Sequence, residues 1–598
     1  PGGLAPMCGI FGYVGRDGEA AGIVLRGLRR LEYRGYDSWG IAVATDRTVA
    51  VDKRVGKIGE AVSGLPSSRV GIGHTRWATH GGVTVPNSHP HLDCSGRLAL
   101  VHNGIVSNYG ELRQRLERAG HPFRSETDTE VVVHLIEEHL ADTPPGPEQL
   151  ARATMAAFRD LRGLNAIAVL DGEKGQLAAA KNGSPLVLGW SDGGHLLASD
   201  QGAILERTRR VTFVEDGQAA LVTAEGHRLF DVMTGRQLQP PITELEGEVS
   251  ASDRAGHPDF MTKETYEQPA VLRRLAGPGA DHARRLAGHL AAARDVVAVG
   301  CGTAGYAALA AQYLLGSIAH RRVAAVAGSE FSHLAPFVGA GSLVLAFSQS
   351  GETIDVIEAA QAAKARGARV VAIVNVEGSS LWRLADDAIP LGAGPEQCVL
   401  STKSFTAKLA LLVLAGYALA GRAAEGQALV AAAADEVERF LADDRRALIG
   451  RIAEAIQDRA HLFTIGRGSS YPLALETALK VKEVSYMHAE GFAGGELKHG
   501  VIALIEPGTP CIALAPCDTT RDDVLGGAMQ VKARGALVIG VSPERHQVFD
   551  HHVRVADLGP ATAIVNAIPA QLLGYDLARL RGHDPDKPRN LAKSVTVK

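Results

Sequence analysis

Cysteine is scarce in this chain: six in 598 residues, at positions 8, 94, 301, 398, 511 and 517. Their separations follow neither a disulfide framework nor a metal motif, which points to a reducing cytoplasm and to no metal site. Aromatic residues make up only 5% and the formal net charge is −4, so there is no basic footprint for nucleic acid or an anionic membrane. The longest uncharged apolar run, 409–421, is too short to span a bilayer. No charged-then-apolar signal segment opens the chain, and no G-x-x-x-x-G-K-[ST] P-loop occurs. These gaps leave a soluble, cytoplasmic protein too long for one core.

What is present falls into three stretches. Up to about residue 240, short alternating strands such as "GIAVAT" and "LALVHNG" mix with helices such as 127–141, an α+β domain with antiparallel sheets. Residues 241–265 are polar and rich in Pro, Gly, Ser and acids, and read as a linker. Beyond it apolar strands alternate with long Ala/Leu helices, the pattern of a parallel sheet. That half is duplicated. "DVVAVGCGTAGYAALAA" (295–311) is echoed by "HLFTIGRGSSYPLALET" (461–477), and "KARGARVVAIV" (364–374) by "KARGALVIGVS" (532–542). "SLVLAFSQSGET" (342–353) has a poorer partner at 509–520. Two doubly wound α/β domains in tandem are expected, 266–440 and 441–598, with ligands at strand ends.

Several turns carry chemistry. "FSQSGET" sets Ser348, Gln349, Ser350 and Thr353 between a strand and a helix start. Neutral donors and a helix N-terminus suit a phosphate monoester. Glu476, Lys480 and Glu483 share one helix face at i, i+4 and i+7, and on spacing alone that face reads as a solvated salt-bridge ladder. His499 ends a glycine-rich loop and is a candidate acid/base, and Lys593 stands in a mild tail.

In the first stretch, Cys8 taken alone reads as a small buried residue opening a strand. Were it the first residue, its own α-amine would be the base for its thiol. "HTRWATHGG" places Arg76, Thr79 and His80 on one loop, with the Arg fork suited to a carboxylate. Asn103 and the Gly104 N–H are neutral donors of oxyanion type. "SETDTE" reads as a helix cap, with Asp128 available to an amine. Together these are the parts of a thiol amidohydrolase acting on an amino acid amide.

"MCGIFGYVG", "LRRLEYRGYDS", "HTRWATHG", "VHNGI", "SETDTE", "SQSGET", "STKSFT", "AEGFAGGELKHG" and "PRNLAKSVTV" occur in that order. On these blocks the chain from Met7 to Lys598 resembles the glutamine–fructose-6-phosphate aminotransferase (isomerising) family. The resemblance implies an N-terminal-nucleophile glutaminase sandwich over 8–240, followed by two sugar isomerase (SIS) domains. It implies that Cys8 attacks glutamine, Asn103 and Gly104 hold the oxyanion, and Arg76 and Asp128, with Thr79 and His80, bind the amino acid. It puts the sugar phosphate on Ser348, Gln349, Ser350 and Thr353, and the sugar along Thr303, Val399, Ser401 and Ala592. His499 would open the ring, Lys593 form an imine, and Glu483 move a proton with Lys480 and Glu476 in support. No cofactor is implied. Trp77 resembles an ammonia-channel gate, and the histidine comes from a neighbouring subunit, hence at least a homodimer.

Two departures stand out. "CGTAG" has Ala304 where the family usually has a serine, one hydroxyl fewer and worth about 1 kcal/mol if it bonded phosphate. Residues 1–7 block the Cys8 amine, and read as an expression remnant or an uncut leader. Amidophosphoribosyltransferase and asparagine synthetase share a cysteine-first opening but not a duplicated SIS half. The alternatives are a non-catalytic sugar-phosphate regulator, against which Cys8, Glu483, His499 and Lys593 all argue, or an amidotransferase for another ketose phosphate.

Overall fold

Strand 98–104 shows why the first half stacks in layers. Leu98 and Leu100 pack outward against helices, while Ala99 and Val101 face a second sheet. Successive side chains point to opposite faces, and both faces are buried, so the strand reads "LALV" rather than alternating with polar residues. The computed structural model describes residues 8–245 and 254–594, so the expectation about residues 1–7 lies outside it, as do 246–253 of the expected linker and the last four residues of the tail. The chain divides into two compact units, one up to residue 252 together with the segment from Ser594, and one over Asp253–Lys593.

In the first unit, among the described residues, an eight-stranded and a seven-stranded antiparallel sheet face each other across an Ala/Val/Leu core. Helix Ala20–Leu31 covers the outer face of one sheet, and helices Glu130–Asp142 and Gln149–Asp160 that of the other. Strand Gly9–Gly15 runs antiparallel to Val70–Arg76, with Gly9 opposite Thr75. That register brings the start of the first strand, where Cys8 stands, to the end of the other, where Arg76 and Trp77 stand.

The second unit holds two five-stranded parallel sheets of one topology. Sheet order is Ala324–Ala327, Asp295–Gly300, Ser342–Phe347, Arg369–Val374, Asp387–Pro390 in the first, and His488–Ala493, His461–Gly466, Pro510–Leu514, Leu537–Ser542, His551–Arg554 in the second. Numbered along the chain, each is 2-1-3-4-5, and the order reverses between the first and third strands, where ligands bind beyond the carboxyl ends. Thr303 follows the first strand of its sheet and the Ser348 turn the third, so both border that crevice.

The expected linker is shorter than 241–265. Thr243–Glu244 pairs as a strand with Arg210–Val211, and helix Phe260–Ala276 begins inside the stretch. Asp259 caps that helix, its carboxylate accepting from Thr262 N–H at 2.8 Å. The expected boundary at 440/441 falls within helix Ala423–Ala442.

Candidate active sites

In the first unit a pocket is lined by Cys8, Arg76, Trp77, Thr79, His80, His89, His102, Gly104, Thr127, Asp128 and Thr129. Trp77 N–H donates to Cys8 Sγ at 3.3 Å, and the thiol reaches the Trp77 carbonyl at 3.6 Å. Burial pushes the thiol up to about 11, against the Trp77 bond and the Arg76 charge. A thiol held so high needs a positioned base to act as a nucleophile.

The Arg76 fork is partly committed to its own loop, donating to the carbonyls of His80 (2.6 Å), Gly81 and Gly82 (both 3.3 Å). Asp128 accepts Val106 N–H on Oδ2 at 2.8 Å, and its Oδ1 lies 4.0 Å from His80 Nδ1. Thr129 precedes helix Glu130–Asp142 without a side-chain cap bond. Instead Glu130 reaches back, accepting from Arg124 N–H, Ser125 N–H and the Ser125 hydroxyl.

Asn103 is set by a histidine that residue patterns did not single out. His74 Nε2 meets the His102 carbonyl at 2.9 Å and Asn103 Oδ1 at 3.1 Å. Two acceptors on one nitrogen require its proton there, which fixes Asn103 with its Nδ2 as the remaining donor. Gly104 has φ +131°, and a Cβ there would lie 2.2 Å from the Leu164 carbonyl, so only glycine fits. His89 and His102 line the pocket, His74 and His91 pack against His89, and all four are buried. Burial lowers each of them, His74 to about 3, so this polar cluster is uncharged.

In the second unit the Glu476–Lys480–Glu483 face of helix Ser470–Ser485 is no solvated ladder, contrary to the reading from spacing. Lys480 is 0% and Glu476 2% exposed at the side chain. Lys480 Nζ lies 2.5 Å from Glu483 Oε2 and 3.4 Å from Glu476 Oε1, and the Thr303 hydroxyl donates to Glu476 at 3.2 Å. Helix spacing aligns the three residues, but packing against helix Gly302–Ala319 buries Glu476 and Lys480, while Glu483 stays 19% exposed. Burial pulls the ammonium down, yet the two carboxylates outweigh it and leave Lys480 raised. Burial lifts Glu476 to about 7.

The Ser348 turn is tightly wound. Gly351 N–H donates to Ser348 Oγ at 2.9 Å, and Ser348 Oγ and Thr353 Oγ1 lie 3.1 Å apart. Gly351 has φ +70°, and a Cβ there would come within 1.9 Å of Ser379 Oγ. Thr353 precedes helix Ile354–Ala365 without capping it by its side chain. Gln349 Oε1 is buried without a hydrogen-bond partner, and Ser350 Oγ accepts Glu352 N–H at 3.1 Å.

Lys593 is buried with a partner no motif indicated. Its Nζ donates to Glu396 Oε2 at 2.7 Å and to the Leu400 carbonyl at 3.4 Å, which brings Val399, Ser401 and Ala592 beside it. Glu396 also accepts from Thr402 N–H, Ser404 N–H and the Ser404 hydroxyl. Burial pushes this carboxyl up, but Lys593 and those donors hold it at about 2. Glu264 goes the other way, raised to about 8 by burial and by the neighbouring Glu396 charge. Lys408, fully buried and lowered to about 8 by burial, senses both Glu396 and Glu476. A lysine entering the apolar run at 409–421 was the one sequence signal for this interior charge. His499 ends an exposed turn, and among the described residues no hydrogen bond or ion pair joins it to the Glu476 or Lys593 groups.

Residues 75–206 match a glutamine amidotransferase domain, and 289–418 and 455–581 each match the SIS domain. A glutamine–fructose-6-phosphate aminotransferase [isomerizing] of Thermococcus kodakarensis is 41% identical over 612 residues, covering 99% of this chain and 100% of that one. The chain belongs to the glutamine–fructose-6-phosphate aminotransferase family. Another relative of that name, from Thermus thermophilus, is 42% identical over 618 residues with the same coverage. The family's solved C-terminal domain from Francisella tularensis aligns over 56% of this chain and 100% of that structure, at 31% identity and a TM-score of 0.52. The glutaminase half and duplicated SIS half read from the sequence are thus both present. No helix among the described residues is long and apolar enough to cross a membrane.

Proposed function

We propose that this chain uses glutamine to convert fructose 6-phosphate into glucosamine 6-phosphate and glutamate. Full-length membership of the family carries this reading, and the two residue clusters supply a mechanism.

In the glutaminase unit Arg76 holds the glutamine α-carboxylate and Asp128 its ammonium, with Thr79 and His80 closing the loop. Once Cys8 is the first residue, its α-amine takes the thiol proton and Sγ attacks the amide carbon. Asn103 Nδ2 and the Gly104 N–H stabilise the oxyanion. Ammonia leaves with that proton, and water releases glutamate from the thioester. Trp77, bonded to the thiol through its own N–H, is the gate past which ammonia departs.

In the SIS half Ser348, Gln349, Ser350 and Thr353 bind the phosphate, with Thr303, Val399, Ser401 and Ala592 along the sugar. His499 opens the ring. Lys593 sheds a proton, leaves Glu396 and forms an imine at C2, losing water. Ammonia displaces the lysine, and Glu483 moves a proton from C1 to C2, oriented by Lys480 and Glu476. The isolated position of His499 supports its acting in a neighbouring copy, which makes the working unit a homodimer. Six unpaired cysteines support a reducing compartment, the cytoplasm.

Incubating the chain trimmed to begin at Cys8 with glutamine and fructose 6-phosphate tests this. Glucosamine 6-phosphate and glutamate in equal amounts support it. Fructose 6-phosphate binding without turnover, or turnover of another ketose phosphate alone, overturns it.

A further inference from the structure

Away from both clusters, three separate segments of the glutaminase unit aim four ligand atoms at one point. Cys94 sits on the turn between strands His91–Leu92 and Leu98–Gly104, and His121 lies just past helix Tyr109–Arg118. His134 and Glu137 share a face of helix Glu130–Asp142 at i, i+3. We propose that Cys94, His121, His134 and Glu137 form a structural zinc site.

The distances suit this ion. Cys94 Sγ lies 3.2 Å from His121 Nδ1 and 3.7 Å from His134 Nδ1. Glu137 Oε2 lies 3.2 Å from His121 Nδ1 and 3.1 Å from His134 Nδ1. All four ligand atoms fall within 4.8 Å of one another. Around tetrahedral zinc, with bonds of about 2.0–2.3 Å, neighbouring ligand atoms stand about 3.3–3.7 Å apart, so small shifts complete the shell. One thiolate, two imidazoles and one carboxylate select Zn²⁺ over the oxygen-seeking cations.

Outer contacts suit it too. His121 Nε2 faces Glu138 Oε1 at 3.5 Å, the carboxylate–histidine pairing that orients a ligating ring, and Arg115 holds Glu138 at 2.9 Å. His134 Nε2, which carries the ring proton when Nδ1 ligates, is buried without an acceptor. That cost is small beside the free energy of a four-coordinate zinc site. Four protein ligands close the shell, so the ion binds no substrate. Binding displaces the Cys94 thiol proton to solvent and ties the Cys94 turn to the helix that starts right after the pocket residues Asp128 and Thr129.

The test strips the full chain with a chelator and titrates it with Zn²⁺ alone, then with Co²⁺ as a spectroscopic substitute. One equivalent per chain is expected, with tetrahedral-intensity cobalt bands, a thiolate-to-cobalt charge-transfer band and a raised melting temperature. Cys94→Ser abolishes the charge-transfer band and weakens Zn²⁺ binding at least about tenfold, Glu137→Gln also weakens it, and Cys517→Ser changes neither. Because Cys94 is exposed, serine there leaves the fold intact, and the unmutated chain is decisive by itself. Failure of that chain to bind one equivalent, or an unchanged cobalt spectrum in Cys94→Ser, overturns the proposal.

Discussion

Lys593 Nζ and Glu396 Oε2 meet at 2.7 Å across 197 residues of sequence, with side chains 3% and 0% exposed. The amine proposed to form the imine is therefore stored as one half of a buried ion pair. Removing one partner of such a pair costs about 3–5 kcal/mol, because the other charge stays unpaired.

Lys593→Ala is expected to abolish glucosamine 6-phosphate formation while glutamine hydrolysis stays measurable. Glu396→Gln should destabilise the second unit by about 3–5 kcal/mol, lowering its melting temperature, and weaken synthesis, with hydrolysis again retained. Glu396→Asp, which keeps the charge, should recover part of the rate. Synthesis at the ordinary rate by Lys593→Ala would exclude the imine role.

Thr353→Ala and Ser348→Ala are expected to raise KM for fructose 6-phosphate. Each removes a hydrogen bond to a dianion worth about 1.5–3 kcal/mol, or about 10- to 150-fold. Fructose without its phosphate should respond little to Thr353→Ala. Ser348 also accepts Gly351 N–H, so its variant should lower the melting temperature as well. An equal loss on both sugars with Thr353→Ala would refute the phosphate assignment.

The buried histidines predict acid lability of the glutaminase unit. His74, His89, His91 and His102 are lowered in the fold, so below about pH 6.5 the unfolded chain binds protons that the native one refuses. Their stabilisation is complete above that pH and is lost as pH falls toward the folded value, about 3 for His74, at about 1.4 kcal/mol per pH unit for each. Three of the four tryptophans, Trp39, Trp77 and Trp190, lie in this unit. Melting followed by their fluorescence should fall steadily from pH 7 to pH 5. A flat profile would mean that the histidines are charged in the fold.

Cys8 predicts a difference between two forms of the chain. With residues 1–7 attached its nitrogen is an amide, which has no basic lone pair, while burial holds the thiol at about 11. The extended form should neither hydrolyse glutamine nor be alkylated by glutamine-like electrophiles, yet should still make glucosamine 6-phosphate from free ammonia. A chain beginning at Cys8 should regain both reactions. Equal glutamine hydrolysis by the two forms would show that another base serves Cys8.

Local patterns were enough to read the glutaminase half, the duplicated parallel-sheet half and most proposed site residues. Strand alternation, glycine-bounded turns and helix faces are short-range properties, and each is written in consecutive residues. Tertiary structure alone decided whether a pattern meets water or protein. The spacing of Glu476, Lys480 and Glu483 is the same for a wet surface as for a packed charge cluster, and only packing against helix Gly302–Ala319, which buries Glu476 and Lys480, distinguishes them. Partners far apart in sequence were equally hidden, because the sheet register sets Cys8 against Trp77, and chain folding sets Lys593 against Glu396. Cys94, His121 and the His134–Glu137 pair share no motif spacing, and they converge only because a turn, a helix end and a helix face pack together.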